Sequence, residues 1–150
     1  MAKRGYKQDS EYDEKVVEIK RVSKKTQGGD QMSFTALVIL GNRKGDLGVG
    51  SAKSKNVVSS IRKAVDFARG NMVKLKTTGY TISHEVRAKY GAASVVIKPA
   101  PEGAGLIAGG SVRMVLELAG VKNASAKMLG SSNKLSNVRC TVRALQKLRE

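Results

Sequence analysis

Aromatic side chains are scarce in this 150-residue chain: 4% of residues, with no Trp, four Tyr and two Phe. Proteins that grip single-stranded nucleic acid by stacking bases depend on such rings, so a stacking platform does not dominate here. Cysteine occurs once, as Cys140, which excludes an intramolecular disulfide framework and any multi-thiolate metal site. His84 is the only histidine, so His-rich zinc ligation is excluded too. Apolar runs stop at about seven residues, as in Phe34 to Leu40, against the roughly 20 that a membrane helix needs. The first ten residues lack the apolar stretch of a signal peptide. Acidic residues are few: 12 Asp and Glu face 28 Lys and Arg, a net charge of +16. A small domain needs a net charge of only about 2 to 8 in magnitude for solubility. With 41% apolar residues the chain also has material for a core. The expectation is a soluble, cytoplasmic, globular protein whose partner is a polyanion.

Patterning divides the chain. Residues 1–12 are polar and read as a flexible arm. Val16 to Val22 is rich in β-formers, and Phe34 to Leu40 is almost continuously apolar. Alternation in that second segment sets Phe34, Ala36, Val38 and Leu40 against Thr35, Leu37 and Ile39, as in a central strand covered on at least one side. A turn at Gly41 to Gly45 leads into a third strand with Leu47, Val49 and Ser51 alternating. The period then changes to 3.6. Val57, Val58, Ile61, Ala64, Val65, Ala68 and Met72 form one helical stripe, with Asn56 as N-cap and Gly70-Asn71 as the end. This predicts a β-β-β-α unit over residues 13–76.

The second unit, residues 77–150, opens with short strands around Tyr80 to Arg87 and Ser94 to Lys98. A segment from Pro99 to Gly110 holds both prolines and four glycines. A helix over Ser111 to Ala119 stops at Gly120 and carries an Arg113/Glu117 pair at i,i+4. Val121 to Leu129 is weakly patterned. Asn133 caps a last helix with Leu135, Val138, Val142, Leu145 and Leu148 on one stripe and Arg139, Arg143 and Lys147 on another. The fold class is α+β, two small units in tandem.

Catalytic chemistry finds little support. The acids are scattered among Lys and Arg, no carboxylate pair has acid/base spacing, and Cys140 sits between Val138 and Val142 as a packing residue. Gly48-Val-Gly50-Ser-Ala-Lys53-Ser54 resembles a phosphate loop but has Ala52 where Gly precedes the lysine. Gly103 to Gly110 precedes a helix, so its amides suit an anion. It lacks the acidic residue and long βαβ unit of a dinucleotide site. Pro99-x-x-x-Gly103-x-Gly105 also resembles the nucleotide loop of small-molecule kinases, with Leu106 and Ile107 in place of its serines. An ATP site and a free-standing double-stranded RNA chaperone stand as the rival readings. Charge favours RNA: residues through Lys76 have 17 basic against 8 acidic residues, net +9, and the remainder has 11 against 4, net +7. Both halves are basic, which suits recognition of folded RNA by shape and backbone.

The stretches Lys20-Arg-Val-Ser-Lys24, Gly28-Gly29, Ser33-Phe-Thr-Ala-Leu37 and Ala64-x-x-x-Ala68-x-x-Asn71-Met72 resemble the bacterial small-subunit ribosomal protein five family. So do Pro99-Ala-Pro-Glu-Gly103, Ile107-Ala-Gly-Gly110, Arg113-x-Val-Leu-Glu-x-Ala-Gly120 and Gly130-Ser-Ser-Asn133. The resemblance implies a ribosomal constituent, not an enzyme, with no cofactor and no small-molecule substrate. It implies an N-terminal double-stranded-RNA-binding-like domain and a C-terminal β-α-β-α domain with a left-handed crossover. Partners implied are small-subunit ribosomal RNA, small-subunit proteins four and eight, and the neighbourhood of the mRNA entry channel, with a bearing on head-body geometry and translational accuracy. Taken with the basic residues, the expected RNA-contacting set is Lys20, Arg21, Lys24, Lys25, Gly28, Gly29, Phe34, Arg43, Lys44, Lys53, Lys55, Arg62, Ser131, Ser132 and Asn133. Gly103, Gly105 and Arg113 are the expected protein contacts. The chain departs from the family pattern at Asp30, where a base is usual and a phosphate contact is lost or inverted. It departs again at Ala104 and Lys134, usually Thr and Pro, and in its short C-terminus.

Overall fold

The computed structural model describes residues 11–77 and 80–148. The expected arm at residues 1–12 therefore lies almost wholly outside the described residues. Alternating apolar side chains build three long strands, β1 (Asp13–Thr26), β2 (Gly29–Gly41) and β3 (Asp46–Ser54). A helix, α1 (Val57–Gly70), follows, and a short β4 (Met72–Lys74) completes a sheet of order β1-β2-β3-β4. The expected three-stranded sheet thus has a fourth member. Met72, placed by its spacing on the helical stripe, instead pairs with Gly48 in β4. Asn56 begins α1, although its side chain makes no capping bond.

Both faces of β2 are covered. Ala36, Val38 and Leu40 pack with Ala64, Val65 and Ala68 of α1. Leu37 and Ile39 point the other way, into a larger core shared with the C-terminal half. Ile39 and Leu40 are both fully buried on opposite faces, each burial worth roughly 1.5–3 kcal/mol. Small residues let α1 come close. A Cβ on Gly48 would stand 2.5 Å from the Ala68 carbonyl oxygen, and one on Gly50 would collide with the Ala64 carbonyl. The glycines that resemble a phosphate loop are therefore the groove in which α1 lies.

The second sheet has the order β5-β6-β8-β7. Its strands are β5 (Val86–Tyr90), β6 (Ala93–Pro99), β7 (Leu106–Ile107) and β8 (Ala124–Gly130), with α2 (Gly110–Ala119) between β7 and β8 and α3 (Lys134–Gln146) last. The expected strand at Tyr80 to Arg87 begins only at Val86; the residues before it form bends. The weakly patterned Val121 to Leu129 holds β8, and the glycine-rich segment holds β7, which runs parallel to β8. Gly120 ends α2 in the left-handed conformation, φ 91°. Cys140 is fully buried and its thiol donates to the Ala88 carbonyl at 3.2 Å, so it packs as the sequence suggests. Burial pushes that thiol's pKa up from 9.0, away from nucleophile chemistry.

The two halves are joined by backbone as well as core. Arg43 donates its N–H to the Leu118 carbonyl at 3.0 Å. No Cβ fits at Gly41, which lies against Leu118, or at Gly120, which lies against the Arg43 carbonyl. Lys15 of β1 pairs with Glu117 of α2, and Arg113 reaches the same carboxylate at 3.3 Å.

Candidate nucleic-acid interface

The ladder between β2 and β3 ends at the pair Phe34 and Ser54, whereas β1 and β2 stay paired out to Thr26 and Gly29. Residues 22–26 and 29–33 therefore project as a two-stranded arm beyond the sheet, on the order of 17 Å at 3.4 Å per residue. Lys20, Arg21, Lys24 and Lys25 were expected to lead into a loop; they are ladder residues of β1, and all four are exposed. The loop itself is only Gln27 and Gly28. Thr26 closes it, its hydroxyl donating to the Gly29 carbonyl at 2.7 Å. Gly29, at φ 132°, adopts a conformation that side chains disfavour, so the tight turn needs a glycine there.

A bulge between Val16 and Glu18 sets which way the arm's side chains point. Val17 is the extra residue and packs on the shared core. Beyond it, Lys20 stands opposite Thr35, and Thr35 opposite Lys53, so the two lysines flank Thr35 across three strands. Lys24 lies on the same face, opposite Gln31. This face meets the start of α3 in a groove of about 230 Å³ lined by Lys20, Val22, Thr35, Asn133, Leu135 and Glu18, whose carboxylate pairs with Lys20 at 3.6 Å. Asn133 caps α3 by accepting from the Leu135 N–H at 3.2 Å, while Ser131 accepts from the Asn133 N–H at 3.1 Å. The opposite face carries Arg21 beside half-buried Phe34, then Lys25 facing Asp30. Lys55 sits at the arm's root, just after β3, and Arg62 is exposed on the second turn of α1.

Most of the expected RNA-contacting residues thus gather at one end of the molecule. Two do not. Arg43 and Lys44 lie at the other end of β2, some 40 Å from the hairpin tip by strand rise. Arg43, at φ 59°, donates to Asp13 at 2.9 Å, and its turn is braced by Asn42, whose side-chain oxygen accepts from Lys44 and Asp46. Arg43 lies against Leu118 and Gly120 at the end of α2 rather than against the arm. Gly103 and Gly105 have φ of 88° and 72° and shape the turn before β7. The Gly105 N–H is used by the Asn123 side-chain oxygen at 3.0 Å, so this amide is not available to an anion. Arg113 is held by Glu117, whose pKa is lowered from 4.5 chiefly by the hydrogen bond from Lys15. Sequence reasoning missed Thr35, which the two flanking lysines bracket, because nothing local marks a threonine inside an apolar run.

Among the described residues no group of His, Cys, Asp and Glu could hold a metal ion, and no helix is long and apolar enough to cross a membrane. Residues 12–76 match the family model for the N-terminal domain of ribosomal protein S5, and residues 88–150 match the model for its C-terminal domain. The chain is 52% identical over 139 residues to the small ribosomal subunit protein uS5 of Campylobacter jejuni (strain RM1221), covering 93% of this chain and 95% of that one. It is 49% identical over 140 residues to the small ribosomal subunit protein uS5c of Spinacia oleracea, covering 93% of this chain and 46% of that one. With uS5c of Guillardia theta the identity is 46% over 142 residues, covering 94% and 84%.

Proposed function

The chain belongs to the ribosomal protein S5 family, and from that membership we propose that the β1–β2 arm docks it on folded small-subunit ribosomal RNA. It is a structural constituent of the small ribosomal subunit, a family role that is architectural rather than enzymatic, with ribosomal RNA and ribosomal proteins as partners. The observation that carries the RNA assignment is the row Lys20, Thr35 and Lys53 with Lys24 beyond it, set against the capped start of α3. Lysines at strand spacing, Lys20 and Lys53 on the sheet and Lys24 on the projecting ribbon, suit phosphates along one groove of a duplex. Arg21, Lys25, Gly28, Gly29, Phe34, Lys55 and Arg62 extend the contact over the arm's other face and α1. Arg43 and Lys44 make a separate contact at the far end of the sheet.

Gly103, Gly105 and Arg113 then face neighbouring proteins, the small-subunit proteins four and eight. The molecule spans between RNA and protein contacts, near the mRNA entry channel, and steadies head-body geometry and decoding accuracy. Cytoplasmic localisation follows from that placement. A division at residues 76 and 77 into an RNA-facing unit and a protein-facing unit is part of the same reading.

Binding to small-subunit RNA should weaken by about 0.7–0.9 log units per log unit of salt for each phosphate neutralised. Lys20→Gln with Lys24→Gln should remove about two contacts' worth of that slope. An unchanged slope would remove the arm from the interface. Co-sedimentation with the small subunit in a sucrose gradient is the companion test; protein remaining at the top would favour a free RNA chaperone instead.

A further inference from the structure

Of the row Arg139, Arg143 and Lys147, which the arm does not use, the two arginines border a second groove at the seam between the two halves. Its floor is mainly apolar, with Leu47 and Val49 of β3, Val73 of β4 and Val142 of α3, and its uncharged polar members are Asn71 and Gln146. Tyr90 closes one side, and Arg139 and Arg143 form the rim. The two guanidiniums lie over the Tyr90 ring, 5.9 and 5.1 Å from its centre. Arg139 donates to the Tyr90 hydroxyl at 3.1 Å, and Arg143 donates to the Lys89 carbonyl at 3.3 Å.

These partners are neutral, which separates this pair from three arginines elsewhere in the fold. Arg43, Arg69 and Arg113 each face a carboxylate, on Asp13, Glu14 and Glu117. Among the described residues Arg139 and Arg143 have none. Both are held in place by the ring and one hydrogen bond each, so their side-chain entropy is already reduced. Their charge is nevertheless uncompensated, and most of their N–H donors remain free. Fixed, unpaired guanidiniums side by side are a receptor for a phosphate.

We propose that this groove takes one unpaired RNA nucleotide, its phosphate on Arg139 and Arg143 and its base on the apolar floor. The volume, about 250 Å³, is below the roughly 300–1,000 Å³ of pockets for drug-sized ligands. That suits a planar base seated inside with its sugar and phosphate at the rim. Among the groove's lining residues there is no carboxylate, so the charge complementarity is to a polyanion. The choice of RNA over an acidic protein segment rests on the reading of the chain as a ribosomal RNA partner. The apolar floor adds a requirement for a flat, weakly polar group next to the charge.

The test is fluorescence anisotropy of labelled single-stranded hexaadenylate RNA with the full chain, alongside binding to folded small-subunit RNA. Arg139→Gln with Arg143→Gln should weaken hexaadenylate binding about tenfold. Val142→Met, which fills the floor without changing charge, should weaken it at least threefold. Val73→Met serves the same purpose from the facing strand if Val142→Met does not fold. Lys20→Gln with Lys24→Gln should weaken folded RNA binding far more than hexaadenylate binding. The groove assignment is overturned if hexaadenylate does not bind, or if the arginine variant binds it as the parent does. It is also overturned if floor-filling variants that fold leave binding unchanged, or if hexaglutamate competes better than unlabelled hexaadenylate. Folded RNA binding that persists and still responds to Lys20 and Lys24 would leave the arm's role standing in each of those cases.

Discussion

Replacing Gly50 by alanine tests the packing of α1 directly. An added Cβ would be 2.8 Å from the Ala68 nitrogen and 3.0 Å from the Ala64 carbonyl carbon, with the Ala64 oxygen nearer still. These are backbone atoms, so no side-chain rotation relieves the overlap. The helix must retreat, by on the order of 1 Å, and such a gap forfeits a quarter to a half of the dispersion attraction across the contact. That contact holds the buried cluster of Ala36, Val38, Leu40, Ala64, Val65 and Ala68. Overpacking of this kind costs about 1–3 kcal/mol, and a rigid backbone obstacle places it at the upper end. For a protein of this size about 3 kcal/mol lowers the melting temperature by roughly 6–12 °C. The matched control is Gly70→Ala. Gly70 is the last residue of α1, a Cβ there meets nothing within 4 Å, and its φ is not positive. It should be neutral or stabilise by up to about 1 kcal/mol. Thermal melts followed by far-UV circular dichroism compare the two. A Gly50→Ala melt within 1 °C of the parent would refute the close-packing account and revive a phosphate-loop role for the segment.

Three further outcomes are expected. Asp30→Arg, on the arm facing Lys25, should strengthen RNA binding and raise its salt slope by about one contact's worth, 0.7–0.9; a titration series at several salt concentrations reads this. Glu117→Gln removes a carboxylate whose pKa is lowered in the folded state by Lys15 and then by Arg113. Its contribution is present above the unfolded value, near 4.5, and is lost as pH falls through the lower folded value. Urea melts should therefore show the variant less stable at pH 7 and converging on the parent at acid pH. Asn133→Ala removes the α3 cap and should cost about 1 kcal/mol of stability, measured by the same melts.

Much of the fold was legible because its signals are local. The alternation of Phe34 to Leu40 correctly assigned each residue to one of two faces, and Gly120 and Asn133 marked helix boundaries by their chemistry. What escaped depends on partners distant in sequence. β8 is built of Ala124, Ser125 and Ala126 before its larger residues, too small to show a period, and it is a strand because β6 and β7 flank it. β7 is two residues long and exists only as a pairing. Met72 falls in phase with the helix, so periodicity alone could not end α1 before it. The candidate site was legible by residue type and not by arrangement. Lys20 and Lys53 are 33 positions apart and meet only through Thr35, and the bulge at Val17 that turns Lys20 and Lys24 to one face has no local signature. Arg43 and Lys44 look equivalent to the arm lysines in sequence, yet an antiparallel strand carries them to the other end.

β2 is hydrogen-bonded on both sides from Phe34 to Gly41, but on one side only from Gly29 to Ser33. The two stretches therefore answer a pull differently. A force along the strand axis loads every rung of both ladders together, in shear, and meets the collective strength of the sheet. A force across the arm opens the Thr26 and Gly29 rung first, then the next, one pair at a time. The arm is thus soft to bending and peeling yet stiff to extension. A tug along it is shared by the rungs of both ladders down to Gly41, where the absence of a side chain leaves the strand pressed directly on Leu118 of α2.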